Sequence, residues 1–159
     1  MADTFSRAER SRIMGLVKSR DTTPELVVRR LVRALGFRLR GPKMGTGAAK
    51  TRSQSPFWRY RLHVRSLPGT PDLVFVRLRK IILVSGCFWH MHGCGRCRIP
   101  ASRRGYWVAK LERNAARDRR TRRALRQAGW RVLVVWECQT TPARRERLRA
   151  RLMAFLAGE

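Results

Sequence analysis

Trp130-Arg-Val-Leu-Val-Val-Trp136 restricts this chain more than any other stretch. It is mostly β-branched and aromatic and is set off by Gly129, in a sequence with 30% charged residues. Such a run belongs in the interior as a buried strand. Before it, Tyr106 to about Ala128 reads as a long, very basic helix that Gly129 ends. Two shorter β-rich runs, Asp72–Val76 and Lys80–Val84, lie close enough for a basic turn to join them as a hairpin, and Arg59–Val64 alternates weakly as a third. Asp21-Thr-Thr-Pro-Glu25 opens a helix with a Thr cap, Pro in the first turn and an acid at the positive end of the dipole. Leu26, Val27, Leu31, Leu35 and Phe37 follow at roughly helical spacing, and Gly36 stops the helix. Ser6–Lys18 reads as a basic amphipathic helix, and Arg144–Leu156 closes the chain as another. At 159 residues this is one domain, with helices alternating around a mixed sheet in an α/β layered architecture. Residues 41–58 carry turn and linker chemistry and read as a flexible basic insertion.

The charge balance selects the partner. Lys and Arg total 37 against 10 acids, a formal +27 that calls for a polyanion. Lysine occurs only at positions 18, 43, 50, 80 and 110, so Arg dominates, the better residue for bidentate phosphate contacts. Nucleic acid is the expected partner, and charge alone would equally suit a ribosomal-type RNA binder. No run of residues is long and apolar enough for a membrane span, and the N-terminus lacks a signal-peptide core. The expected location is therefore the cytoplasm, at the nucleoid. There the four cysteines (87, 94, 97 and 138) read as metal ligands or free thiols before disulfides.

Two motifs carry chemistry. In Leu67-Pro-Gly-Thr-Pro-Asp72 a tight turn delivers Asp72 to the start of a strand, where its carboxylate can hold Mg²⁺. A Pro-Asp at a strand start with a second strand about ten residues on is the layout of PD-(D/E)xK nucleases. The second motif runs from Gly86 to Cys97 and packs Cys87, His90, His92, Cys94 and Cys97 into eleven residues, with Cys138 waiting at a strand end. Spacing alone suggests a Cys94/Cys97 pair completed by Cys87 or His92 and by Cys138. Phe88 and Trp89 in this loop either stack on bases or pack over the metal, and Trp107 can join them. His63 reads as a surface or strand residue.

Taken in order, Arg10 to Met14, Ser19 to Thr22, Pro24-Glu25, Leu67 to Asp72, Gly86-Cys-Phe-Trp-His90, Trp107, Asn114, Arg117-Asp-Arg119 and Gly129 to Cys138 resemble the Vsr family, the very short patch repair endonucleases. The resemblance spans nearly the whole chain outside roughly residues 40–58. It implies a PD-(D/E)xK restriction-endonuclease-like core with a structural zinc site, acting as a single domain. It also implies Mg²⁺-dependent nicking of double-stranded DNA 5′ to the T of a T:G mismatch, starting repair of deaminated 5-methylcytosine. Residue by residue, it makes Asp72 the Mg²⁺ ligand and His90 the catalytic histidine. Asp118 becomes the acid supporting that histidine, and Glu25 an acid near the metal's waters. Zinc falls to Cys87, His92, Cys94 and Cys138, leaving Cys97 outside, and Phe88, Trp89 and Trp107 become the intercalating aromatics. Arg10, Arg12 and Arg117 are candidate DNA contacts, the first two on an N-terminal helix within residues 1–20. A monomer is expected, with repair proteins as further partners. The rival expectations are a related nicking or homing-type enzyme indifferent to the mismatch, and an impaired DNA-binding protein.

Ser85 is the chief departure, standing where the family usually carries His or Asp. A metal bond through the Val84 backbone carbonyl would survive that change.

Overall fold

The computed structural model describes Ser6, Glu9, Arg12, Gly15 and residues 20–40, 59–95 and 97–158. Glu9, Arg12 and Gly15 are helical and exposed. Arg10 and the insertion expected at 41–58 lie outside the described residues.

Three α-helices and five strands follow among the described residues: α1 (Thr23–Ala34), β1 (Arg38–Leu39), β2 (Arg59–Leu62), β3 (Leu73–Phe75), β4 (Lys80–Ser85), α2 (Arg104–Gln127), β5 (Arg131–Trp136) and α3 (Arg145–Ala157). The sheet runs β1-β2-β3-β4-β5. The β2–β3 and β3–β4 pairs are antiparallel, so the expected hairpin forms, while β1–β2 and β4–β5 are parallel. Mixed pairing makes α2 the crossover between β4 and β5, since parallel strands need a long connection. The two-residue β1 has no periodic signature and went unread in the sequence.

Alternation along the strands sorts the core into two layers. Leu73, Phe75, Ile82, Leu133 and Val135 face α1 and α3, meeting Val28, Val32, Leu148, Leu152 and Leu156. Val74 and Ile81 face the other way, onto Leu125 and Trp130. Of the expected inward residues Val27 and Phe37 are buried and Leu31 and Leu35 pack against the core, but the most buried positions of α1 are Val28 and Val32, and Leu26 is 39% exposed. Lys80, buried at the start of β4, sends its ammonium to the carbonyls of Leu156 and Gly158 and so closes the C-terminal end of α3.

Two helix ends share one stop signal. After α1, Gly36 takes a φ of 92° while its N–H donates to Arg33 and that of Phe37 to Val32. After α2, Gly129 takes a φ of 78°, its N–H donating to Arg126 and that of Trp130 to Leu125. Both are Schellman ends, and in each the residue after the glycine packs against the residue whose carbonyl it binds. Nothing lies within 4 Å of a Cβ built on Gly36, so Gly36→Ala isolates the left-handed backbone cost. That variant should lose about 1–2 kcal/mol in urea unfolding and keep its activity; an unchanged midpoint would contradict this account of the helix end.

Candidate active site and metal centre

The carboxylate expected at a strand start is where the turn delivers it. Gly69 has a φ of 72°, and a Cβ added there would come within 2.4 Å of the Thr121 Cγ2 on α2, so only glycine lets the turn pack this close. Pro71 is buried, and Asp72 precedes β3 with its side chain 20% exposed. The Val84 N–H donates to Asp72 Oδ2 at 2.7 Å across the hairpin. Burial pushes the Asp72 carboxyl up from its ordinary 3.8 to about 6, with the Glu25 charge raising it further against the Val84 hydrogen bond and the Arg29 charge. An anion so poorly solvated, with one oxygen pinned, is a fitting ligand for a hard divalent cation.

Glu25 is 4% exposed on the first turn of α1. It accepts hydrogen bonds from the Asp21 N–H at 3.1 Å, the Thr22 hydroxyl at 3.0 Å and Arg29 Nη2 at 3.1 Å. Thr22 does hold the cap position, but its hydroxyl goes to Glu25 rather than to the helix backbone. His63 is neither a surface nor a strand residue. It lies just past β2 at a φ of 45°, 16% exposed, with Nε2 3.7 Å from Glu25 Oε2 and Nδ1 3.9 Å from Asp72 Oδ1. The β2–β3 register explains this, since Leu62 pairs with Leu73 and the next position sets His63 opposite Asp72.

His90 forms a second group. Its Nδ1 is hydrogen-bonded to Asp118 Oδ2, which makes Nδ1 the donor and leaves Nε2 as the basic nitrogen. Asp118 belongs to a stripe along α2 with Trp107, Leu111, Asn114, Thr121 and Leu125, spaced three and four residues apart. Asn114 Nδ2 donates to the Trp89 carbonyl at 3.3 Å. Glu137, just beyond β5, accepts from the Cys87 N–H at 3.2 Å. The segment from Cys87 to His90 is therefore fastened on two sides.

Phe88, Trp89 and Trp107 are half-buried rather than fully exposed and pack on one another, with ring centroids 5.0, 5.6 and 6.1 Å apart. The Lys110 ammonium lies 5.3 Å from the Trp89 ring centre and 5.4 Å from that of Trp107. Tyr106, 55% exposed, extends the cluster. Arg12 and Arg117 are exposed, open to a polyanion.

Cys87, His92, Cys94 and Cys138 bring their ligand atoms within 4.8 Å of one another and can hold a metal ion. His92 Nδ1 lies 3.7 Å from Cys87 Sγ and 3.5 Å from Cys138 Sγ, near the roughly 3.5–3.8 Å edges of a tetrahedral site. Burial pushes the Cys87 thiol up to about 12, with the Cys94 and Cys138 thiols adding to it, so a thiolate here needs a cation. The Cys94/Cys97 pairing suggested by spacing does not form. Cys97 instead donates its thiol to the Cys87 carbonyl at 3.0 Å, outside the cluster.

The sequence profile described as DNA mismatch endonuclease Vsr matches residues 2–46 and 54–96. A type II nicking enzyme of Xanthomonas oryzae pv. oryzae, V.XorIIP, is 42% identical over 87% of this chain and 87% of its own length. The DNA mismatch endonuclease Vsr of Escherichia coli is 37% identical over 100% of this chain and 90% of its own. The nicking enzyme V.NmeAIP of Neisseria meningitidis is 31% identical over 87% and 84%.

The raised Asp72 carboxyl yields a stability test. Its folded-state proton affinity exceeds the unfolded one, so its stabilising contribution is full below about pH 4 and lost as pH rises through about 6. Above that, the ionised group costs the metal-free fold about 2–3 kcal/mol. Asp72→Asn in EDTA should therefore be more stable than wild type at about pH 8, the gain fading toward about pH 4. Equal urea midpoints at both pH values would refute the desolvation argument.

Proposed function

This chain belongs to the Vsr family and is a DNA endonuclease, and from that premise we propose that it nicks one strand 5′ to the T of a T:G mismatch in a Mg²⁺-dependent reaction. The observation that carries the reading is that three groups of the needed chemistry are each held in place by neighbouring elements. The Asp72 carboxylate is pinned within the β3–β4 hairpin, while the His90–Asp118 dyad and the Phe88–Trp89–Trp107 cluster tie the loop after β4 to α2.

The chemical roles follow from the donors. Asp72 and the Val84 carbonyl would hold Mg²⁺, which when bound neutralises charge on the scissile phosphate. His90 takes the proton of the attacking water through Nε2, while Asp118 keeps the imidazole oriented and stabilises it once protonated. Glu25 orders water on the α1 side of Asp72. Phe88, Trp89 and Trp107 enter the base stack at the mismatch, exchanging their mutual contacts for base contacts. The exchange is favoured because every base offers a π-face, and Lys110 is already at hand for a phosphate. Arg10, Arg12 and Arg117 contact the DNA backbone. The fold is a PD-(D/E)xK-like core working as a single domain and a monomer. Ser85, at the end of β4 opposite Trp136, leaves nicking intact but slower.

Zn²⁺ is the ion we assign to the Cys87, His92, Cys94 and Cys138 cluster. It would serve structurally, joining the loop on both sides of His90 to the turn just after β5 through closed coordination. Purified protein should carry about one zinc per chain. Cys138→Ser should lose it and unfold more easily, while Cys97→Ser should keep it. Loss of zinc from the Cys97 variant alone would restore the pairing suggested by spacing.

The function itself is tested by end-labelled duplexes with T:G or T:A at one site. Wild type with Mg²⁺ should nick the T:G duplex alone, and His90→Ala should be slower by about 10²–10⁴-fold. Equal nicking of both duplexes would favour the rival reading of a nicking enzyme indifferent to the mismatch. Binding without nicking of either duplex would point to an impaired DNA-binding protein.

A further inference from the structure

Arg29 is an unusually enclosed arginine, its side chain 11% exposed in the wall beside Asp72. Its Nη1 bonds Asp21, while its Nη2 lies 3.1 Å from Glu25 Oε2 and 3.0 Å from His63 Nε2. A guanidinium has donors and no acceptor. At 3.0 Å, then, His63 Nε2 is the acceptor and carries no proton. The competing approach of the same nitrogen to Glu25, at 3.7 Å, is too long for a hydrogen bond. The ring proton must sit on Nδ1, and Nδ1 is the atom nearest Asp72, 3.9 Å from Oδ1. The other carboxylate oxygen, Oδ2, is held by the Val84 N–H at 2.7 Å. A small closure of the site, or one bridging water, would complete a hydrogen bond from His63 to Oδ1.

The same atoms argue against a second cation between Asp21, Glu25 and His63, although their ligand atoms cluster. Arg29 already supplies the positive charge there.

We propose that His63 is a positioning residue for Asp72. Arg29 locks its imidazole in the Nδ1–H tautomer, and that N–H fixes how Asp72 Oδ1 is presented to the divalent cation. The proposal rests on the reading of Asp72 as the Mg²⁺ ligand. It assigns Arg29 a defined task at a distance, acting through one ring.

Two measurements test it. Heteronuclear NMR of the imidazole nitrogens in wild-type protein at about pH 8 should show His63 protonated at Nδ1. The Nε2–H tautomer would overturn the proposal, whatever the variants do. Single-turnover nicking of the T:G duplex is then followed against Mg²⁺ concentration. His63→Ala should need about 10-fold more Mg²⁺ or more for half-maximal rate, with DNA affinity in EDTA within about 2-fold of wild type. His63→Gln, which offers an acceptor to Arg29 and a donor toward Asp72, should recover most of the loss, a rescue that simple loss of packing would not give. An unchanged Mg²⁺ response in His63→Ala, beside an inactive Asp72→Asn, overturns the positioning role. Wild-type nicking by Asp72→Asn instead overturns the metal-ligand reading, with the tautomer still decided by NMR.

Discussion

The parallel pairing of β4 with β5 is the constraint on which the rest of the arrangement depends. Parallel neighbours cannot be joined by a tight turn, so about twenty residues after β4 the chain must enter a crossover helix lying over the sheet. That helix, α2, buries only Leu111 and Leu125 outright, too little to anchor 24 residues by hydrophobic contact alone. What holds it besides is the stripe between them. Asn114 takes the Trp89 carbonyl, Asp118 takes His90, and Thr121 fits against Gly69. The crossover helix thus gains part of its anchorage from the groups assigned to the site, so fold and site are coupled through the same contacts.

Electrostatics shapes the molecule in a second way. Acids are scarce in a +27 chain, yet Glu25 and Asp72 lie together in one enclosed corner. Arg29 compensates Glu25 and Asp21 directly, whereas Asp72 has a backbone N–H and, 3.9 Å away, the imidazole of His63. The corner is consequently short of positive charge while the exterior has a surplus. The surplus attracts a polyanion at long range, and the shortage reserves one carboxylate for a cation at short range.

Much of the architecture was legible because it follows periodicity and punctuation. Gly36 and Gly129 announce helix ends that only a residue tolerant of positive φ can make. The run from Trp130 to Trp136 does form a strand, but at the edge of the sheet with only Leu133 and Val135 of β5 buried, because β4 alone pairs with it; the β3–β4 hairpin forms from its two short runs. β1 was not legible, since two residues carry no period, and on α1 the reading put Leu26 inside and missed Val28 and Val32 while placing Val27, Leu31 and Leu35 correctly. Within the site, Asp72 and the Gly86–His90 segment stand out by motif. Cys97 was misleading, because a two-residue spacer permits metal ligation without directing the chain toward it.

His63, Arg29, Tyr106 and Lys110 belong to no motif, and each acquires its place only when distant segments meet. His63 needs the β2–β3 register, Arg29 needs α1 to pack beside that pair, and Lys110 needs the loop carrying Trp89 to return to α2. The sequence by itself determined the α/β class, the polyanionic partner, the kind of chemistry and most of the side chains that could perform it, since those follow from residue type and local spacing. Which of them meet was decided by tertiary structure, through strand register and the path of one crossover helix. Hydrogen bonds and ion pairs act over a few ångströms, a distance that separation along the chain does not encode.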